Sequence, residues 1–368
     1  MLDYGPNDFA TDTKLSEDAH FIREIYSPGE NKATSLEITY MGVADGVGSW
    51  REYGVDPRQF ATKLMEECDN VITHSISNYI ETRKSEPGRS FNQLISPSDV
   101  LAQAYERVKE QNIIGSSTAC VALFDNNTHQ LHFSNLGDTG IIVLRHIDSD
   151  VAGALKRNRI TPRVERESDL RVAFVSQQQL ISFNHPFQLG WTGEELVNGD
   201  SSLKSPADFC ATSIHLKRGD IIIMATDGLF DNVDIDDIAN IALKWERKHG
   251  FMRDNDTQAR ERRWQKGNSM TLLSAERIHE LAEILCSTAR DLSLDKNTDS
   301  PFAILAKEND IMWSGGKFVQ GILLITDGNN FFLYCFSMIS ALLCLTGMPD
   351  DCTVVAMQIV GKSRHDKL

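Results

Sequence analysis

Positive charge is scarce in this 368-residue chain: 37 Lys and Arg stand against 52 Asp and Glu, for a net charge of −15. A surface that repels phosphate backbones offers no electrostatic footprint for DNA or RNA, which argues against a nucleic-acid binder. Paired cysteines are missing as well. Cys68, Cys120, Cys210, Cys286, Cys335, Cys344 and Cys352 form no C-x-x-C spacing and sit mostly in apolar runs, which reads as reduced, buried thiols in a reducing compartment. No His/Cys cluster has the spacing of zinc ligands. The opening Met1-Leu2-Asp3-Tyr4-Gly5 carries neither an apolar core nor an Arg-rich amphipathic stretch, so no signal or transit peptide is expected. Long apolar runs are absent with one exception, about 18 uncharged and largely apolar residues from Phe331 onward. That length is the lower bound for a membrane span.

What is present suits a globular chain that builds its own core: 41% of residues are apolar and 24% charged. β-branched runs predict strands over 36–43, 118–124, 130–133, 140–144, 214–216, 220–225 and 353–360. Helices are expected over 56–80, where an acid precedes Pro57, over 96–110 behind Ser96-Pro97, and over 234–248 and 274–292. Two polar, charged stretches, 149–176 and 246–267, read as loop insertions.

Acids recur where strands end. Asp45-Gly46 follows the run that closes at Val43, and Asp227-Gly228-Leu229-Phe230-Asp231 follows 220–225. Gly137-Asp138-Thr139-Gly140 is a third case, Asp350-Asp351 precedes the last strand, and Glu17-Asp18 precedes the first. Any one Asp-Gly alone is a turn signal. The set fits oxygen ligation of Mg²⁺ or Mn²⁺, hard cations that take carboxylates, carbonyls and waters.

These five motifs stand in the order of the type-2C (PPM) metal-dependent Ser/Thr protein phosphatases, which the chain resembles over nearly its whole length. It is most similar to the mitochondrial T-cell-activation phosphatase subgroup through 43–51 (VADGVGSWR), 115–120 (GSSTAC) and 183–189 (FNHPFQL). The resemblance implies an α+β fold, a four-layer α-β-β-α sandwich with two antiparallel sheets, as a single catalytic domain over 1–368. It also implies two Mn²⁺ or Mg²⁺ ions. Asp45 would bridge them, the Gly46 carbonyl would bind one, and Asp227 and Asp350 the other. Glu17 and Asp18 would act through waters, while Asp138 and Asp231 would help hold a weaker third ion. The expected reaction is hydrolysis of phosphoserine and phosphothreonine in proteins by a water activated between the ions, with no phosphoenzyme. The alternatives are a catalytically weak phosphoprotein-binding relative and a phosphatase of small metabolites. A monomer with a phosphoprotein substrate, intracellular and mitochondrial, follows from the same likeness.

The chain departs from the family pattern in three places. Val47 stands where many members have a histidine suited to protonating the leaving group, so that role is unassigned. The arginine that often grips phosphate upstream of Glu17-Asp18 is missing, with Lys14 the nearest cation; His20 and His185 are left without a role. Residues 318–348 separate Gly315-Gly316-Lys317 from Pro349-Asp350-Asp351, which the subgroup joins directly. A span there would carry Asp350 across a bilayer from Asp45 and Asp227, so no transmembrane segment is expected. The stretch reads as a gene-model artefact, translated intron, or else as an exposed partner-binding or membrane-surface insertion. Transcript sequencing across Lys317 and Pro349 separates the two.

Overall fold

The computed structural model describes residues 16–27, 36–85, 94–146, 170–194, 203, 209–217, 219–249, 275–317, 319–327, 336–337 and 350–359. In chain order the strands and helices are β1 (Ala19–Ser27), β2 (Leu36–Gly46), α1 (Pro57–Ser85), α2 (Pro97–Glu110), β3 (Gly115–Asp125), β4 (Gln130–Leu136) and β5 (Gly140–His146). Then come β6 (Leu170–Val175), the short β7 (Leu180–Ser182), β8 (His185–Pro186) and β9 (Leu189–Trp191), β10 (Cys210–His215), β11 (Ile221–Ala225) and the single turn α3 (Asp227–Phe230). The chain closes with α4 (Ile235–Lys248), α5 (Ala275–Leu294), α6 (Pro301–Glu308), β12 (Val319–Asp327), β13 (Phe336–Ser337) and β14 (Asp350–Gln358).

Among the described residues two six-stranded sheets result, one ordered β1-β2-β3-β4-β10 with β9 also on β3, the other β13-β12-β14-β11-β5-β6, beside the two-stranded pair β7-β8. Strand alternation explains why they stack. On β2, Met41 and Val43 face one way into a core shared with Phe133, Met224 and Val355, while Tyr40 and Ala44 face the other, into a core with Phe60, Leu64 and Leu101 of α1 and α2. A third core joins Ile223 of β11 and Val354 of β14 to Trp245 of α4 and Leu281 and Leu285 of α5. Three cores between four layers are the α-β-β-α sandwich expected from the motifs.

Local signals set the helix starts. Ser96 and Asp234 cap α2 and α4, accepting from the backbone N–H of Asp99 at 3.1 Å and of Asp236 at 2.8 Å.

Three expectations need correction. The sheets are antiparallel except for β12 and β14, which run parallel. The charged stretch 149–176 is not loop throughout. Its last residues form β6, which pairs with β5, and its Leu170, Val172 and Phe174 pack on the cores while Ala173 and Val175 between and after them are exposed. The stretch 246–267 begins inside α4, where Glu246 is buried and meets His146 Nε2 at 3.1 Å. Residues 147–169 and 250–267 lie outside the described residues. Of the apolar insertion 318–348, residues 319–327 and 336–337 are strands on the edge of the second sheet, and the rest also lies outside the described residues. No helix among the described residues is long and apolar enough to cross a membrane.

Candidate active site

Each acid is aimed by the end of a strand. Asp45 closes β2 opposite Thr118 of β3, and its carbonyl accepts from Ser117 Oγ at 2.7 Å. Gly46 is required next: a Cβ there would lie 2.5 Å from the Pro57 carbonyl oxygen and 2.8 Å from that of Glu17. Asp138 leaves β4 through Gly137, whose φ of +95° favours glycine and where a Cβ would lie 2.8 Å from the Phe187 oxygen. Asp227 leaves β11 at the first turn of α3. The three meet: Asp45, Asp138 and Asp227 each offer a carboxylate oxygen, all within 4.8 Å of one another.

The remaining acids border this nest. Asp18 Oδ2 accepts from Thr226 Oγ1 at 2.9 Å, and that hydroxyl accepts from Thr353 N of β14 at 3.0 Å, so β1, β11 and β14 are tied together beside the site. Glu17 donates its backbone N–H to the Asp351 carboxylate, and its own carboxylate pairs with Arg51. Asp231, one turn after Asp227, pairs with Lys317. For Asp350 the structure gives the backbone, the first residue of β14 in register with Val319; its side chain lies outside the described ones. Beside it Asp351 is buried.

Crowding of carboxylates shows in their acidities. Burial, reinforced by the charge of Asp227, pushes Asp138 well above the ordinary carboxylate range against the opposing pull of Lys317. Burial likewise raises Asp231 to about 6, with Lys317 opposing and Asp227 adding. Asp351 is pushed up to about 7 by burial, which the hydrogen bond from Ser16 and the Arg51 charge only partly offset. Asp138 Oδ1 and Asp227 Oδ1 are buried without a hydrogen-bond partner among the described residues. Oxygen donors left in that condition are what a hard cation satisfies.

The nest opens into a cleft of about 600 Å³ whose walls include Glu17, Arg51, Asn184, His185 and Lys317. Arg51 and Lys317 belong to motifs quoted from the sequence, but neither was singled out there as a site residue. Arg51 comes from the 3-10 turn after Gly48, and no local pattern announces that it folds back over Glu17. Lys14 lies outside the described residues. His185 is on the cleft wall, whereas His20 is half-buried in β1, where desolvation lowers it to about 4.

A four-layer sandwich carrying this carboxylate nest is the construction of the type-2C protein phosphatases. The solved photosystem II phosphatase PBCP supports the fold, with a TM-score of 0.51 at 20% identity over 82% of this chain and 87% of that one. No family model matches the chain. Its sequence relatives decide the matter. It is 31% identical to a protein phosphatase PTC7 homolog of Xenopus laevis over 279 residues, 75% of this chain and 72% of the relative. It is 31% identical to the human PTC7 homolog over 75% of this chain and 71% of that one, and 32% identical to the PTC7 homolog fig of Drosophila willistoni over 85% and 76%. The chain belongs to the PTC7 protein phosphatases.

Proposed function

We propose that the cleft hydrolyses phosphoserine and phosphothreonine in proteins with the help of two divalent cations, Mn²⁺ or Mg²⁺. The observation that carries this is the convergence of Asp45, Asp138 and Asp227, two of them with buried carboxylate oxygens that have no hydrogen-bond partner among the described residues. The donor set is all oxygen, as such cations require. Asp45, the Gly46 carbonyl, Asp227 and Asp350 are the residues that would hold them, with Glu17, Asp18, Asp138 and Asp231 around that inner set. When bound, such ions polarise water toward attack on phosphorus and neutralise charge on the phosphoryl oxygens.

The chain's own groups supply the rest. Thr226 fixes Asp18, and Ser117 fixes the end of β2, so the acids are held in place before substrate arrives. Arg51 takes over phosphate recognition from the arginine missing upstream of Glu17: its guanidinium lies in the cleft beside Glu17, and its planar fork matches a phosphate monoester. Arg51→Ala should therefore lower kcat/KM on a phosphopeptide by about 10- to 100-fold, the loss of one charged hydrogen-bonding group. Steady-state kinetics with an unchanged rate would remove Arg51 from this role.

The reading as a whole is tested by phosphopeptide hydrolysis in Mn²⁺ and in chelator. Turnover with Mn²⁺ that disappears in EDTA and returns on adding metal is expected. Tight phosphopeptide binding without turnover at saturating Mn²⁺ would instead mark a phosphoprotein-binding relative, and turnover of small phosphate esters alone a metabolite phosphatase. The resemblance extends the proposal to a monomer in mitochondria, which gel filtration and fractionation check.

A further inference from the structure

Lys317 puts its ammonium into the acidic nest. Nζ lies 2.5 Å from Asp227 Oδ2 and 2.8 Å from Asp231 Oδ2, with Asn184 Oδ1 at 3.4 Å and the Phe302 ring centroid at 5.2 Å. The side chain is only 14% exposed. Its main chain is pinned: the Lys317 N–H donates to Asn232 Oδ1 at 2.8 Å, and Gly316 N donates to the Asp295 carbonyl at 2.9 Å. A Cβ on Gly316 would run into the Leu292 carbonyl, so the segment is threaded tightly against the end of α5. A lysine on so fixed a backbone is a cation tethered at its site. It presents three donors on a compact charge and needs no set coordination geometry.

We propose that Lys317 is a resident cation that occupies the Asp227–Asp231 side of the nest, so that the chain holds one divalent ion fewer than its carboxylates alone would take. The inference rests on the reading of the cleft as a divalent-cation site. The weaker third ion that the resemblance assigns to Asp138 and Asp231 is displaced, because a divalent cation placed beside Asp231 would sit within a few ångströms of a fixed positive charge that already holds one oxygen of Asp231 and one of Asp227. Lys317 also shields Asp227 and Asp231 from each other. It is a positioning residue, acting through the acids it holds.

The test counts ions on the full chain. Mn²⁺ bound per chain is measured by equilibrium dialysis for the wild type, Lys317→Met and Lys317→Arg, and thermal unfolding is followed in EDTA and in Mn²⁺. Lys317→Met should bind one Mn²⁺ more than the wild type, melt lower in EDTA and gain more from Mn²⁺, while Lys317→Arg matches the wild-type count. Equal counts in wild type and Lys317→Met overturn the proposal, whatever the melting temperatures do. If Lys317→Met does not fold, Lys317→Gln is counted against the same expectation. The wild-type count itself reads the underlying assignment: a wild type that binds no Mn²⁺ refutes the metal site, whereas a one-ion difference between variant and wild type reports on Lys317 alone.

Discussion

Asp227→Ala should abolish turnover, lowering kcat by about a thousandfold or more, a loss of about 4 kcal/mol of transition-state stabilisation. Asp227 touches both the carboxylates of the nest and the cation beside them. One oxygen is buried with no hydrogen-bond partner among the described residues, the other is held by Lys317, and the carboxylate has an oxygen within 4.8 Å of those of Asp45 and Asp138. Removing it takes away a metal-holding group and frees Lys317 to turn wholly toward Asp231. The same change should not weaken the metal-free fold, because the charge of Asp227 raises both Asp138 and Asp231 and its loss relieves them. Phosphopeptide kinetics and thermal unfolding in EDTA check the two halves together. A variant that keeps a tenth of its activity would place the chemistry elsewhere, and one that fails to fold in EDTA would show Asp227 to be structural.

Gly228→Ala should cost about 3 kcal/mol of stability and most of the activity. A methyl group there falls far inside van der Waals contact with the Asp351 carbonyl oxygen and 2.9 Å from both the Asp351 carbonyl carbon and Cys352 Cα. All of these are backbone atoms of β14, so no flexible side chain can give way. Relief requires α3 and β14 to part, which would loosen Asp227 on one side and the Asp351 contact to Glu17 on the other. Urea unfolding followed beside activity reads both effects. A wild-type midpoint would mean that the two backbones do not approach as described.

Much of the site was legible because its acids carry their own local frame. A strand, an aspartate and a glycine in succession say where the side chain points, and this held for Asp45-Gly46 and for Asp227-Gly228. The cations were not legible in that way. Lys317 reaches Asp227 across 90 residues of chain, and Arg51 reaches Glu17 from a 3-10 turn that has no period. The fold shows the same division. β1 escaped notice because Arg23 and Glu24 interrupt its apolar residues, a pattern an edge strand tolerates and one that Arg23 uses to pair with Asp69 of α1 at 2.7 Å. α6 escaped although Ser300-Pro301 repeats the capping signal of Ser96-Pro97, because eight residues give too little period to detect. β6 was hidden in a charged stretch whose alternation is confined to six residues.

The backbone of Glu17 and the side chain of Asp351, joined by a hydrogen bond, are separated by 334 residues. Ribosomes deliver the amino end first, so the Glu17 backbone meets the Asp351 carboxylate only once β14 has been made. A nascent or prematurely terminated polypeptide that lacks β14 thus has no closed centre. The position of Glu17 at the rim of the nest thus depends on a strand made more than three hundred residues later.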